Sequence, residues 1–322
     1  MASVADVLIR PGHYVRKHGL RGFMARLVMR PLAPLSGRRV TNLDKRVFDG
    51  VLPLRDNKGM SIGFSPYLPH VHGYQITKVC KALSLRMVEG EDADIRMFWH
   101  DTTVAPCSPE GAINWRIRDV SKRRVNEVFD RVFPYSLSVN PETYTGKCVE
   151  KVDENGLHAG QVVQCPHERR NGFVYQRLVD NRKGHSVEDI RAVIVGNEIP
   201  VVYVKRRPIH DRFSNVNSSV DLVSSPFRGE EASMILSFCS EMGLDYGELD
   251  VLRDNEDGRI YVVDVNKTTF GPPNHLPLPK RFKAIELIAL AFERQFLSGQ
   301  PEPTRKSALY ATSGQTLALE ML

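Results

Sequence analysis

Two short apolar segments in the C-terminal part of the sequence carry acidic side chains, and this combination limits what the chain can fold into. The segments ELDVLR and RIYVVDV are joined by the polar turn DNEDG, a pattern typical of two paired strands. Each segment is apolar enough to be buried, yet Asp250 lies in the first and Asp264 in the second. A buried carboxylate is costly unless its charge is compensated. The strand pair therefore requires a partner of positive charge.

A metal ion is one candidate for that partner. Asp264 and Asn266 are two residues apart, so their side chains point to the same face of one strand. Asp250 lies on the neighbouring strand, and its carboxylate can meet theirs on one face. Such oxygen ligands suit Mg²⁺, which typically takes one or two carboxylates together with substrate phosphates. The sequence thus predicts magnesium held against a nucleotide; the alternative is that the two carboxylates form ion pairs with Arg253 or Arg191.

Two lysines predict where phosphates would bind. Lys122 begins a predicted helix, whose N-terminus adds a positive field. Lys151 lies in a predicted strand before the loop 153–160, whose glycines permit close approach of the backbone to a ligand. The alternative is that both lysines are solvated and that the loop is an ordinary turn.

Composition and cysteine usage narrow the class of protein. The sequence has 322 residues, 42% of them hydrophobic and 25% charged, which is typical of globular proteins. The length favours two domains or one fold of several lobes. Five cysteines without a CxxC pair favour a reducing compartment over a zinc site or a disulfide framework. Neither a membrane span nor the apolar segment of a signal peptide is found, so we expect a cytoplasmic protein.

Positive charge is concentrated at the N-terminal end of the sequence. Residues 1–50 hold ten Lys and Arg against three Asp and Glu, whereas the remainder holds 34 against 35. A helical apolar stripe is formed by Leu20, Phe23, Met24, Leu27 and Val28. A helix within residues 12–34 can lie on the inner face of a membrane, bind an acidic partner or pack on its own protein. The near-neutral remainder argues against nucleic-acid binding.

Helical and strand-like patterns alternate along the rest of the chain. The apolar spacing predicts helices over residues 74–85, 121–132, 230–242 and 282–297. Strands are predicted over residues 95–99, 146–152, 161–165 and 173–179, with a hairpin over 189–207 that turns at Gly-Asn. The loop after the strand 95–99 begins with His100, Asp101 and Thr102, which are candidates for acceptor binding because such loops often hold ligands.

The order of these motifs resembles that of ATP-grasp enzymes, with the ribosomal-protein glutamate ligase branch as the nearest resemblance. It covers residues 119–273, roughly half of the chain, and the order and spacing of the motifs carry it. The matching motifs are Ser121-Lys122, Val149-Glu150-Lys151, Asn155-Gly156 to Gly160, Gln176-Arg177-Leu178, Asp189-Ile190-Arg191, Val195-Gly196-Asn197-Glu198-Ile199, Phe213-Ser214-Asn215, Leu249-Asp250-Val251-Leu252 and Asp264-Val265-Asn266.

The resemblance implies an α/β (α+β) architecture with an ATP-grasp fold, in which two α+β lobes clasp ATP after a small α/β N-terminal domain. The implied divisions are a basic N-terminal arm (1–50), the N-terminal α/β domain (51–117), the small lobe (118–175), the large lobe with the Mg²⁺ site (176–300) and a tail (301–322).

The resemblance also implies a role for individual residues, with ATP and Mg²⁺ as cofactors. ATP would be bound by Lys122, Lys151, Asn155, Gly156 and Gly160 and by the hinge residues Gln176, Arg177, Leu178 and Val179. Mg²⁺ would be bound by Asp250, Asp264 and Asn266. The transferred phosphoryl group or acyl phosphate would be steadied by Arg191, Asn215 and Arg206, and Lys267 would bind an anionic acceptor.

Three functions are compatible with these motifs. The first is an ATP-dependent ligase that joins a carboxylate to an amine through an acyl phosphate, as the resemblance implies. The second is a phosphotransferase that uses the same ATP site on a hydroxyl group. The third is a nucleotide-binding adaptor at a membrane, against which the Lys, Asp and Asn set argues. The acceptor would be a small molecule, a peptide or a glycan precursor, and the sequence does not identify it.

Deletion of residues 1–34 is expected to weaken binding to anionic lipid vesicles at low salt, because the basic stripe lies in the removed segment. Nucleotide binding should remain intact. Vesicle co-sedimentation of the full chain and the deletion variant, together with a nucleotide titration of both, measures the two effects. Failure of the full chain to bind vesicles at low salt would contradict the membrane alternative.

Overall fold

Three β-sheets and four α-helices form the part of the chain that the computed structural model describes. That part is residues 54–298 except 56, 58, 70–72, 107, 157–159 and 214–218. The predicted basic helix, the arm 1–50 and the tail 301–322 lie outside the described residues. No helix within the described part is long and apolar enough to cross a membrane. The mixed α/β architecture predicted from the sequence is confirmed, whereas the domain divisions stay a prediction.

The first sheet is parallel and belongs to the N-terminal part. Its strands are β1 (Ser61–Pro66), β2 (Arg86–Glu89) and β3 (Ile95–Trp99), in the order β2-β1-β3. Helix α1 (Gln75–Ala82) connects β1 to β2, as parallel strands require a crossover. The predicted strand at residues 95–99 and the helix within residues 74–85 are confirmed.

Helix α2 (Lys122–Val132) begins where the sequence predicts. Ser121 is its N-cap, and the Ser121 side chain accepts a hydrogen bond from the backbone N–H of Arg124 at 3.2 Å. The apolar stripe is buried, with Val125, Val128 and Phe129 fully inside the core. The cap therefore fixes Lys122 as the first residue of the helix.

The second sheet is antiparallel and has three strands. They are β4 (Gly146–Val152), β5 (Gly160–Cys165) and β6 (Phe173–Arg177), in the order β5-β4-β6. The predicted strands at residues 146–152 and 161–165 are confirmed, the second beginning one residue earlier. β6 ends two residues before the predicted limit of 179, which leaves Leu178 and Val179 in the segment that leads to the third sheet.

The third sheet is antiparallel and has six strands. They are β7 (Arg182–Lys183), β8 (Ser186–Val195), β9 (Glu198–Pro208), β10 (Ser219–Val223), β11 (Tyr246–Arg253) and β12 (Ile260–Asn266). The order is β10-β9-β8-β11-β12, with β7 beside β8. Both the predicted β8–β9 hairpin and the predicted pair of acidic strands, β11 and β12, are confirmed.

Helices α3 (Gly229–Met242) and α4 (Leu278–Phe292) complete the described chain. α4 begins four residues before the predicted start at 282, with Pro277 as its N-cap and Pro279 in its first turn, where a proline is tolerated. A π-helical turn, Glu293–Leu297, then continues to the predicted end. Short 3₁₀ geometry follows β9 at Ile209–Asp211.

Gly243 ends α3 in the left-handed conformation, with φ at 75°, and a Cβ atom there would lie 2.5 Å from the Cβ atom of Arg116. We expect Gly243→Ala to cost about 2–4 kcal/mol of unfolding free energy, from backbone strain and overpacking together. Gly258→Ala is the matched control, because Gly258 has φ at 69° with nothing near its added Cβ, and should cost only about 1–2 kcal/mol. Urea unfolding of both variants measures the difference, and equal losses would contradict the steric argument.

Candidate functional site

A cleft lies between the antiparallel three-stranded sheet (β5-β4-β6) and one face of the six-stranded sheet. Its empty volume is about 930 Å³, counting the space at the open mouth. Both predicted carboxylates, Asp250 and Asp264, line it. The predicted nucleotide-binding residues that line it are Lys122, Lys151, Gly156, Gly160, Gln176, Arg177 and Val179. The structure therefore brings most of the predicted nucleotide-binding residues into one cleft, although Asn155 and Leu178 are not part of its lining.

The two carboxylates stand side by side on adjacent strands. Asp250 of β11 and Asp264 of β12 are direct cross-strand partners, and a β-bulge follows Asp250. Direct partners project from the same face of a sheet. Their side chains are 22% and 26% exposed, so both can be reached from the cleft. This geometry gives the cleft a floor with two adjacent negative charges.

Asp250 is neutralised by two cations from neighbouring strands. The Nε and Nη2 atoms of Arg191 donate to its two carboxylate oxygens at 2.9 and 3.2 Å, and Lys205 Nζ donates to Oδ1 at 3.2 Å. Burial alone would raise the pKa of Asp250, but the charges of Arg191 and Lys205 hold this pKa well below its usual range. Asp250 is therefore ionised at neutral pH.

Arg191 has a second carboxylate partner behind the cleft floor. Its Nη1 atom lies 3.1 Å from Oε2 of Glu248, a residue that is only 2% exposed. Burial alone would lower the pKa of Arg191, whereas Asp250 and Glu248 together raise it. Arg191 is thus fixed between two acids on β11.

Asp264 is paired with the lysine at the start of α2. Lys122 Nζ lies 2.8 Å from Asp264 Oδ1 and 3.3 Å from Asn155 Oδ1. The Asn155 amide donates to the backbone oxygen of Val265 at 3.0 Å, and its backbone N–H donates to Thr103 Oγ1 at 2.9 Å. The predicted phosphate loop is therefore joined to β12 and to the loop after β3 at Asn155.

Lys151 projects into the cleft from β4 and has a perturbed pKa. Burial lowers the pKa of Lys151 to about 8, and the nearby charge of Lys122 acts in the same direction. Asp264 and Asp250 oppose this effect, and Arg212 adds to it. A lysine with this pKa is about half neutral near pH 8.

Buried polar contacts lie at the end of β6, and part of the cleft lining is apolar. Gln176 is 1% exposed, and its side-chain amide donates to Asn126 Oδ1 at 2.6 Å, which ties β6 to α2. Arg177 Nε lies 3.2 Å from Asp254 Oδ2. The apolar side chains that line the cleft are Val149, Val152, Val179, Val187, Phe213, Leu252 and Val263.

One predicted site residue lies on the wrong face. Arg206 alternates with Lys205 and Arg207 on β9, and its guanidinium lies 2.9 Å from Glu188 Oε2 and 2.6 Å from Asp221 Oδ2. These partners lie on the side of the sheet opposite to Asp250, because side chains alternate along a strand. The geometry therefore contradicts the predicted contact between Arg206 and a transferred phosphoryl group.

Other predicted residues stand at the margin or outside the described part. Asn266 is the cross-strand partner of Glu248, and its Oδ1 atom accepts the backbone N–H of Thr268 at 3.0 Å. Lys267 is 4% exposed, so its predicted contact with an acceptor would need an opening towards it. Asn215 lies outside the described residues.

The sequence interpretation missed several cationic residues on β9 and just after it. Lys205 contacts Asp250, Arg207 forms an ion pair with Asp189, and Arg212 Nη2 donates to Asn181 Oδ1 at 3.1 Å. A period-of-two analysis of the segment YVKRR places Tyr203, Lys205 and Arg207 on one face. Tyr203 is the cross-strand partner of Arg191, so Lys205 lies on the same face of the sheet as Arg191. The alternation of side chains along β9 could therefore have predicted that Lys205 lies near Asp250.

The donor set fits a magnesium ion and a nucleotide. Asp250 and Asp264 are two adjacent carboxylates that the cleft exposes, and the Asn266 carbonyl retains a second lone pair. Within the described residues, no three His, Cys, Asp or Glu side chains form a metal site by themselves, so a metal here would also use amide, water or phosphate oxygens. Lys122 and Lys151 could meet phosphate oxygens, and the valines of the lining could pack against a base.

Lys151 should react with an amine-acylating reagent over a pH range centred near 8, because only the neutral amine is nucleophilic. Lys122→Met should raise this midpoint, since the Lys122 charge lowers the pKa of Lys151. Asp264→Asn should lower it, since the Asp264 charge acts in the opposite direction. Peptide mass spectrometry after brief labelling at several pH values measures the midpoints, and identical midpoints in all three proteins would contradict the electrostatic assignment.

Comparison with known proteins gives matches among solved structures alone. No protein-family model and no curated protein matches the chain. The ATP-grasp ligase PsnB in complex with a minimal precursor matches at 14% identity and a TM-score of 0.37, over 55% of this chain and 64% of that one. The chain therefore spans less than two thirds of that PsnB chain.

Two further matches span nearly the whole of the other chain. D-alanine–D-alanine ligase from Bacillus anthracis has 13% identity and a TM-score of 0.45, over 74% of this chain and 97% of that one. A RimK domain ATP-grasp protein from Sphaerobacter thermophilus has 10% identity and a TM-score of 0.43, over 72% and 99%. The TM-scores of these three matches are all below 0.5. The PsnB and RimK domain matches are both ATP-grasp proteins.

Proposed function

We propose that the chain is an ATP-dependent, ADP-forming ligase that joins a carboxylate to an amine. A carboxylate oxygen of the acceptor would attack the γ-phosphorus of ATP, which releases ADP and forms an acyl phosphate. The amine would then attack the acyl carbon, so that phosphate leaves with the bonding electron pair and the nitrogen loses a proton. The acceptor would be a small molecule, a peptide or a glycan precursor.

The pair of carboxylates Asp250 and Asp264, surrounded by cations, is the observation that carries this proposal. Each carboxylate is accessible from the cleft, and each is held by a cationic side chain that could also bind phosphate. Lys122, Lys151, Arg191 and Lys205 supply the positive charges. Preorganised charges of this kind stabilise a phosphoryl group in transfer without further rearrangement of the site.

Each cation would have its own task in the proposed reaction. Lys122 and Lys151 line the cleft from the α2 and β4 sides, so they would bind phosphate oxygens of ATP. Arg191, behind Asp250, would steady the transferred phosphoryl group with its planar guanidinium, which matches phosphate oxygens. Mg²⁺ bound to Asp250, Asp264 and Asn266 would neutralise phosphate charge during transfer.

The apolar side of the cleft supports a nucleotide as the ligand. Val149, Val179 and Val187 lie among its lining, near the hinge segment after β6. A Cβ atom added to Gly160 would lie 3.0 Å from the Phe213 ring, so glycine permits the close approach of the β5 backbone to that ring. We propose that adenine binds between these apolar groups and the hinge backbone, with the phosphates directed towards Lys122.

Asp264→Asn should weaken Mg²⁺-dependent binding of ATP by about 10-fold to 100-fold or more, because it removes a charged metal ligand. The melting temperature without ligand should change little, since the Asp264 side chain is 26% exposed and leaves no cavity when replaced by Asn. Calorimetric titration with ATP, with and without Mg²⁺, measures the effect. Asp221→Asn is the matched control, because Asp221 pairs with Arg206 on the opposite face. Unfolding of Asp264→Asn together with an absence of nucleotide binding by the unmodified protein would contradict the metal site.

The ligase chemistry can be tested without knowledge of the acceptor. The purified protein would be incubated with Mg²⁺, ATP and a small-molecule cell extract, with and without hydroxylamine, which traps an acyl phosphate as a hydroxamate. Mass spectrometry and phosphorus NMR should show ADP, phosphate and a new hydroxamate, all absent with Asp264→Asn. ADP with a stable phosphorylated product and no hydroxamate would contradict the ligase and indicate phosphotransfer to a hydroxyl group.

A further inference from the structure

Glu248 is a buried acid that none of the roles above uses. It lies two residues before Asp250 on β11, on the same face of the strand. Its Oε2 atom is 3.1 Å from Arg191 Nη1, and its Oε1 atom accepts the side-chain amide of Gln75 at 3.2 Å. Gln75 is completely buried at the start of α1. The carboxylate is therefore held from two sides, by the large sheet and by the N-terminal part.

The Gln75 side chain is itself fixed. Its Oε1 atom accepts the hydroxyl of Tyr246 at 2.9 Å, and the Thr269 hydroxyl lies 3.5 Å away. This network orients the amide so that its N–H group points at Glu248. A buried ion pair is weak support for stability, because apolar residues of similar volume often serve as well. Stability alone therefore does not explain why a carboxylate is buried at position 248.

Asp250 and Glu248 differ in their access to the cleft. The Asp250 side chain is 22% exposed and lines the cleft, whereas the Glu248 side chain is 1% exposed. A cation in the cleft can therefore compete with Arg191 for Asp250 but not for Glu248. Arg191 uses Nε and Nη2 on Asp250 and Nη1 on Glu248, so its contact with Glu248 survives such competition.

We propose that Glu248 is a positioning residue, which holds the Arg191 guanidinium beside the cleft when Mg²⁺ and nucleotide engage Asp250. Without this anchor, the freed guanidinium would rotate among several orientations, and its Nη2 and Nε donors would be directed at the transferred phosphoryl group only part of the time. The inference rests on the proposed ATP-dependent function. Because Gln75 of α1 donates to Glu248, the same contacts also connect α1 to Arg191.

The test compares ADP binding with and without aluminium fluoride, which imitates the transferred phosphoryl group, at saturating Mg²⁺. In the unmodified protein, aluminium fluoride should tighten ADP binding. Glu248→Gln keeps the size of the side chain and removes its charge, so it should lose about tenfold or more of this tightening. The affinity for ADP alone should stay within about threefold, because Arg191 is directed at the phosphoryl group and not at ADP.

Two variants separate positioning from a structural role. Arg191→Lys should lose the same tightening, and adding Glu248→Gln to it should cause no further loss, because both changes remove one unit of function. Glu231→Gln is the matched control, because Glu231 of α3 is 3% exposed and pairs at 2.7 Å with Arg253 of β11, neither of which lines the cleft. It should lower the melting temperature and leave the effect of aluminium fluoride intact.

Several outcomes would overturn the inference. Full tightening by aluminium fluoride in Glu248→Gln would do so, as would losses that simply add in the double variant or an unmodified protein that ignores aluminium fluoride. If Glu248→Gln does not fold, Gln75→Met replaces it, because it removes the donor to Glu248 and should reduce the tightening in the same direction. No binding of ADP with Mg²⁺ to the unmodified protein would refute the proposed function itself.

Discussion

The charge cluster around Asp250 is the constraint on which the rest of the site depends. Asp250 on β11 takes Arg191 from β8 and Lys205 from β9, so three neighbouring strands each supply one charged group. A shift of one residue in any of these strands would move its charged group to the other face. An unpaired charge buried there would be strongly unfavourable. The same charges that equip the cleft for an anionic ligand therefore also fix the register of the sheet.

A second cluster joins the parts on either side of the cleft. Lys122 at the start of α2 contacts Asp264 on β12 and Asn155 after β4, and Asn155 in turn contacts Thr103 after β3. One helix, one sheet and two loops are thus joined through Lys122 and Asn155. Because Lys122 is also the proposed phosphate ligand, nucleotide binding would exchange one anionic partner of this lysine for another. The junction between the parts is then sensitive to the ligand.

The sequence predicts the acidic strand pair and its neighbours well, because those features depend on local alternation. The shared face of Asp250 and Asp264 follows from β-strand periodicity and a short polar turn. Arg206 was misassigned because motif order says which residues are near in sequence and not which face they occupy. The sequence analysis did not predict Lys205 and Glu248 as site residues for the same reason. Their roles depend on the register of β9 and β11 against β8, which is set by pairing between distant segments.

Lys151 is a cation in the cleft whose charge is poorly compensated by the neighbouring acids. Asp250, Asp264 and Glu248 are matched by three cations in direct contact, and Lys151 comes in addition to these pairs. Burial and the charge of Lys122 therefore lower the pKa of Lys151 to about 8, since a further positive charge is poorly compensated. A polyanionic ligand reverses this balance and raises the pKa. With phosphate bound, Lys151 would be fully protonated. Without phosphate, part of the Lys151 population would be neutral near pH 8, which reduces its repulsion of Lys122.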